Sequence, residues 1–211
     1  MAKLTLYLLL IFCISSTALA TIPRLPRRSR LRAYIEASCQ TTRYPALCVH
    51  CLSTYIHTNT TVQTPKQLAQ VALSASLNRA FYTRAYLLKV AKELLAIKAK
   101  EYQAVKDCLE QINDCVDQLT QSINELRSLD REGHVGGNMF WHISNVETWV
   151  SAALTDASSC VDAFPGRNMS KLKATIKGKV LNVAQTTSNA LALFHRFAAR
   201  FRAAAGATGK P

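Results

Sequence analysis

The 211-residue chain predicts an all-α protein: an antiparallel four-helix bundle preceded by an N-terminal helical hairpin that a disulfide would tie. Three observations predict this. Four long segments place apolar residues at steps of three and four, which puts them on one face of a helix. The joins between the segments are short, so sequential helices become antiparallel neighbours. No run of alternating β-branched residues competes with the helical pattern.

The hairpin comes first. A helical segment spans Leu31 to Ala37, the chain turns at Tyr44-Pro45, and a second segment runs from about Ala46 to His57. A bond between Cys39 and Cys48, nine residues apart, would close the hairpin. Thr64-Pro65 then marks a helix start, a capping hydroxyl followed by proline at the first helical position. The first long helix runs to about Ile97, with Leu68, Val71, Ala72, Ala75, Leu87, Ala91, Leu94 and Leu95 as its apolar residues. Its end near Ile97–Lys100 carries no glycine or proline. The second has the most regular stripe: Tyr102, Val105, Leu109, Ile112, Val116, Leu119, Ile123 and Leu126. A glycine-rich break over residues 131–138 precedes the third, whose stripe is Val146, Val150, Ala153, Ala157, Cys160 and Phe164. Pro165-Gly166-Arg167 ends it, and Asn168 or Ser170 caps the fourth, which runs from Leu172 to Phe201.

The chain opens with a positive start, an apolar run to about Ile14 and the small-residue end Ala18-Leu19-Ala20, the pattern of a cleaved secretory signal. The run is too short for a membrane span, which needs roughly 20 apolar residues. The expected division is a signal peptide over 1–20, a basic flexible arm over 21–32, the hairpin over 33–62, the bundle over 63–205 and a disordered tail over 206–211. Residues 33–205 form one domain. Asn59 and Asn168 stand in glycosylation triplets, which suits export. Net charge is +13, or +12 without the signal, and favours polyanionic partners. For an exported chain these are acidic polysaccharide or an acidic protein surface before nucleic acid. Cys13 leaves with the signal. The six remaining cysteines, Cys39, Cys48, Cys51, Cys108, Cys115 and Cys160, allow 15 full connectivities.

Residues for catalysis or metal binding are not evident. There is no Gly-x-Ser-x-Gly turn, and His50, His57, His134, His142 and His195 share no spacing. Asp114 and Asp117, three apart on one helix, read as a solvated or partner-facing edge. Cys48-Val-His-Cys51 has the spacing of a zinc half-site, but no second close pair completes it. Gly136-Gly137 lacks the lysine and the strand of a phosphate loop. Nucleic-acid binding needs basic residues on one face with aromatics between them, whereas the basic residues here are spread over the N-terminal arm, Lys171–Lys179 and Arg196–Arg202. Neither a cofactor nor a metal is expected, and no enzymatic activity.

Several blocks resemble the plant invertase and pectin methylesterase inhibitors. Tyr34-Ile35-Glu36 with Cys39 and Tyr44-Pro45-Ala46-Leu47-Cys48 resembles the family's opening hairpin. Ala104-Val105-Lys106-Asp107-Cys108 resembles its second-helix cysteine block. The most specific block runs from Asn145 through Trp149 to Asp156 and on through Ser159-Cys160 to Phe164. Thr187–Leu193 resembles the final-helix signature, and the likeness spans about residues 32–202. It implies a four-helix bundle with an N-terminal hairpin and two disulfides, Cys39–Cys48 and Cys108–Cys160. Cys51 and Cys115 are left over, as a third bridge or as thiols.

The resemblance also implies a function. Members inhibit either pectin methylesterase or invertase, and the Pro-Lys-Phe motif of the invertase branch is missing here. The wording of the third and fourth helices looks like the pectin methylesterase branch. The implied protein is secreted to the apoplast and cell wall, and one copy binds one esterase and covers its pectin-binding cleft. The expected contact residues are Asp114, Gln118, Thr148, Ser151, Thr155 and Ser159. Acidic pectin is a second expected partner, through the basic arm. No nucleic acid is expected, and no membrane after signal cleavage. The alternatives are an inhibitor of cell-wall or vacuolar invertase and a basic pectin-binding wall protein.

Overall fold

The computed structural model describes residues 27–56, 62–129, 138–164 and 170–207. They form six helices: α1 (Arg27–Cys39), α2 (Pro45–Ile56), α3 (Pro65–Ala96), α4 (Tyr102–Ser128), α5 (Asn138–Asp162) and α6 (Lys171–Ala207). The chain divides into two compact units, Met1–Arg30 and Leu31–Pro211, and the bundle belongs to the second. The expected signal segment, Asn59, Asn168, His57, His134 and residues 208–211 lie outside the described residues.

α3 packs on α4, α4 on α5, α5 on α6, and α6 back on α3, while α2 lies against α3 and α6. This is the square of an up-down-up-down bundle. The stripes read from the sequence line its centre. Val146, Val150, Ala153, Ala157 and Cys160 on α5 are all buried, as are Phe164 just past its end and Ile176, Val180, Thr187, Phe194 and Ala198 on α6. The exceptions include Tyr102 on α4 and Leu172 on α6, which are only partly buried, and two further positions. On α4 Cys108 is buried while Leu109 is only partly so, because the disulfide draws Cys108 inward. On α3 Leu95 is exposed, although the adjacent Leu94 is buried.

Local signals explain where the helices begin and end. Thr64 and Gln67 form a reciprocal cap: the Gln67 amide donates to Thr64 Oγ1 at 3.2 Å, and the Thr64 amide donates to Gln67 Oε1 at 3.2 Å. Ser170 caps α6 by accepting from the Lys173 amide at 3.3 Å. The end of α3 has no glycine, yet it closes in a Schellman motif. The Ala99 amide donates to the Leu94 carbonyl at 2.9 Å, the Lys98 amide donates to the Leu95 carbonyl at 3.1 Å, and Lys98 takes φ 51°. α1 begins at Arg27, so the last six residues of the expected arm are helical. No proline follows Pro26 there, and arginine and leucine are good helix formers.

Two disulfides staple the fold. Cys39–Cys48 joins α1 to α2 with the Cα atoms 5.7 Å apart, and Cys108–Cys160 joins α4 to α5 at 4.8 Å. The remaining thiols, Cys51 and Cys115, are buried and free. The third bridge that the sequence leaves open does not form, because the two sit at different seams. Cys51 lies among α2, α3 and α6, beside Ala72 and Asn189. Cys115 lies between α4 and α5, where burial and the nearby Asp156 push its thiol up to about 12.

The hairpin docks on α6 through its backbone. Asn189 accepts from the Tyr44 amide and donates to the Tyr44 carbonyl, each at 3.0 Å, and Arg196 donates to the Ser38 carbonyl at 2.8 Å. Beneath it, the buried Ser76 and Thr187 hydroxyls meet at 2.6 Å between α3 and α6.

Lys98→Gly should stabilise the fold by about 0.5–1 kcal/mol, because glycine takes positive φ without a Cβ penalty; chemical denaturation measures it. Replacing Cys108 and Cys160 together by alanine should cost on the order of 4 kcal/mol, the chain-entropy value for a loop of this length. The same denaturation experiment reads that loss.

Candidate functional site

Thr148, Ser151, Thr155 and Ser159 recur at steps of three and four on α5, on the side opposite its buried stripe. All four are exposed, and they form one straight strip of small hydroxyl side chains. Thr155 Oγ1 donates to the Ser151 carbonyl and Ser159 Oγ to the Thr155 carbonyl, each at 3.0 Å. Each of these two hydroxyls thereby spends its one proton on its own helix and turns its lone pairs to solvent. Such a strip is flat, rigid and accepting, and it lets another protein's backbone or donor groups approach closely.

Asp114 and Gln118 belong to α4 and meet α5 along the neighbouring seam. Asp114 is exposed and Gln118 half-buried, and both act on Asp156. Burial pushes the Asp156 carboxyl up from its ordinary range, a hydrogen bond with Gln118 offsets part of the rise, and the Asp114 charge adds to it. Asp156 Oδ2 and Gln118 Oε1 are buried without hydrogen-bond partners. Both are acceptors while the carboxylate is ionised, so a proton on Asp156 turns one of them into a donor. Asp156 is not among the contact residues expected from the sequence. Its place one residue from Thr155, off the buried stripe, is the only signal there.

Farther along the same seam, Glu125 Oε1 accepts from Asn145 Nδ2 and contacts His142 Nδ1, each at 2.8 Å. His142 is thereby a packed histidine, joined to a carboxylate. Charge is divided over the bundle. α5 has Glu147, Asp156 and Asp162 and no lysine or arginine, and α4 carries more carboxylates than cations. α6 has seven lysines and arginines and no carboxylate. Among the described residues, no three histidine, cysteine or acidic side chains are placed to hold a metal, and no helix is long and apolar enough to cross a membrane. The cleft lined by Cys51, Leu52, Ala72 and Asn189 admits little more than a water molecule. The arrangement suits surface recognition.

The raised Asp156 carboxyl has a definite sign in stability. The folded protein holds that proton over a window in which the unfolded chain has lost it, so stability falls as pH rises through the window. Asp156→Asn should therefore raise Tm at pH 7, and the gain should vanish by about pH 3, where both states are protonated. Thermal melts of the two proteins across pH check this.

The comparisons with known proteins agree on one family. The family model for "Plant invertase/pectin methylesterase inhibitor" matches residues 33–193. "Pectinesterase inhibitor 9" of Arabidopsis thaliana is 45% identical over 192 residues, covering 90% of this chain and 92% of the relative. "Pectinesterase inhibitor 11" of the same plant is 39% identical over 207 residues, covering 95% and 100%. A crystal structure of a mutant pectin methylesterase inhibitor from Arabidopsis shares the fold, with a TM-score of 0.58 at 18% identity, over 74% of this chain and 92% of that one. On this likeness, which spans both the hairpin and the bundle, the chain belongs to the plant invertase/pectin methylesterase inhibitor family.

Proposed function

We propose that the protein inhibits pectin methylesterase by forming a one-to-one, non-covalent complex in which the α4–α5 face covers the enzyme's pectin-binding cleft. The observation that carries the reading is the 45% identity, over nine-tenths of both chains, to a protein named as a pectinesterase inhibitor. The protein acts as a binding partner and carries out no reaction of its own. Its relatives and the export-like first 20 residues support action in the apoplast and cell wall.

The geometry supports this choice of face. A cleft that binds pectin must accommodate a chain of sugars bearing carboxyl groups, some of them ionised. The α4–α5 face offers carboxylates at Asp114 and Asp156 beside a strip of hydroxyls, so it presents related chemistry on a rigid support. α5 brings no lysine or arginine that would repel a cationic cleft. The small side chains at Ser151, Thr155 and Ser159 leave room for the enzyme to come close, and the helix backbone loses no entropy on docking.

Titration of a purified plant pectin methylesterase with the mature protein should abolish demethylesterification at equimolar inhibitor. The same titration with invertase should have no effect. Thr155→Arg, in the middle of the strip, should weaken inhibition at least about tenfold, the scale of a disrupted interface centre. Ala199→Arg, on exposed α6 surface, should leave it unchanged. Inhibition of invertase but not esterase would transfer the protein to the other branch of the family.

A further inference from the structure

We infer that the groove between α3 and α6 is a second binding surface, which takes a carboxylated polysaccharide chain. On α3, Arg79, Tyr82, Tyr86 and Lys89 follow one another at steps of three, four and three, and so share one side of the helix. On α6, Lys171, Thr175, Lys179 and Asn182 do the same at steps of four, four and three. The two stripes are brought edge to edge: Lys179 Nζ lies over the Tyr86 ring, 4.8 Å from its centre. From Arg79 to Lys89 the α3 stripe is about 15 Å long at the helical rise. Cations therefore border the groove on both sides.

Tyr82 is the second feature. It is 77% exposed, beside these cations, and its ring packs into no part of the core. A flat apolar ring with a hydroxyl rim suits the face of a sugar ring, and the flanking ammonium and guanidinium groups suit the carboxylates along the chain. One carboxylate, Glu93, sits at the far end of the groove, 3.9 Å from Lys89, and both are largely exposed. The pair is solvent-screened and leaves Lys89 available to a stronger anion. A single-stranded nucleic acid fits less well, because it needs a succession of rings for successive bases and the groove offers one highly exposed ring.

The surface lies on the other side of the bundle from the α4–α5 face, since α3 and α6 are neighbours and so are α4 and α5. Both sites can therefore be occupied at once. The naming of the polysaccharide as de-esterified pectin, the product of the esterase, rests on the proposed function. Its binding does not require that the esterase be inhibited.

The test measures retention of the full mature protein on polygalacturonate at increasing salt, with fully methyl-esterified pectin and single-stranded DNA as comparison ligands. Binding should be strongest to polygalacturonate and should weaken with salt. The double variant Lys89→Glu/Lys179→Glu should lose at least about tenfold in affinity, as expected for reversal of two contact charges. Tyr82→Ala should lose a smaller factor at high salt, where stacking persists and charge attraction is screened. Both variants should keep the wild-type melting temperature and the wild-type inhibition of esterase. Unchanged binding by the double variant overturns the inference, as does equal or tighter binding to DNA. So does loss of binding only when Arg27 and Arg28 are replaced, which would assign it to the N-terminal basic segment. Loss of esterase inhibition with polygalacturonate binding intact overturns the proposed function and leaves the groove standing.

Discussion

The bond between Cys108 and Cys160 is the constraint on which the rest of the proposed binding face depends. It holds α4 and α5 with two Cα atoms 4.8 Å apart. α5 tolerates this because its inward residues nearby are the small Ala153 and Ala157. Toward the other end of the same seam, Glu125 grips His142 and Asn145. The two ties are separated by about 25 Å of α4 at the helical rise. Two helices fixed at two distant points have no freedom left to slide or rotate. Asp114, Gln118 and Asp156 lie between those points, and the strip from Thr148 to Ser159 is aimed outward as a result.

The rest of the molecule serves that geometry in a different way. The hairpin caps one end of the opposite seam, between α3 and α6, where Asn189 and Arg196 hydrogen-bond to the backbone of Tyr44 and Ser38. Its own disulfide keeps the short α1 and α2 together where they have too little surface to do so alone. Charge is then sorted by helix pair, acidic on α4 and α5 and basic on α3 and α6. A uniformly charged bundle would attract one kind of partner over its whole surface. This one presents a carboxylate-bearing face and a cationic groove on different sides.

Much of this is legible in the sequence, for a physical reason. Helical stripes are local, and Val146, Val150, Ala153 and Ala157 announce their burial by spacing alone. Thr64-Pro65 likewise announces a helix start. The features that escape are non-local or depend on an unusual residue. Nothing in the chain marks Lys98 as the left-handed end of α3, because glycine is the residue that normally signals it. Asn189 and Tyr44 are 145 residues apart, so their pairing has no local signature. Leu109 fits the α4 stripe by count, yet Cys108 takes the inward position because a covalent bond outranks spacing. Asp156 looks like one more polar residue of a helical block. Only packing against α4 shows it as a half-buried carboxyl shared with Gln118 and Asp114.

The central claim is that one particular face, α4 with α5, meets the esterase. Hydrogen–deuterium exchange of the protein with and without a pectin methylesterase tests it most directly, since protection maps onto helices without any substitution. The expected result is added protection in peptides covering Asp114–Gln118 and Thr148–Ser159, with α3 and the first half of α6 unchanged. Protection confined to α3, α6 or the hairpin, in a complex that still inhibits, would contradict it.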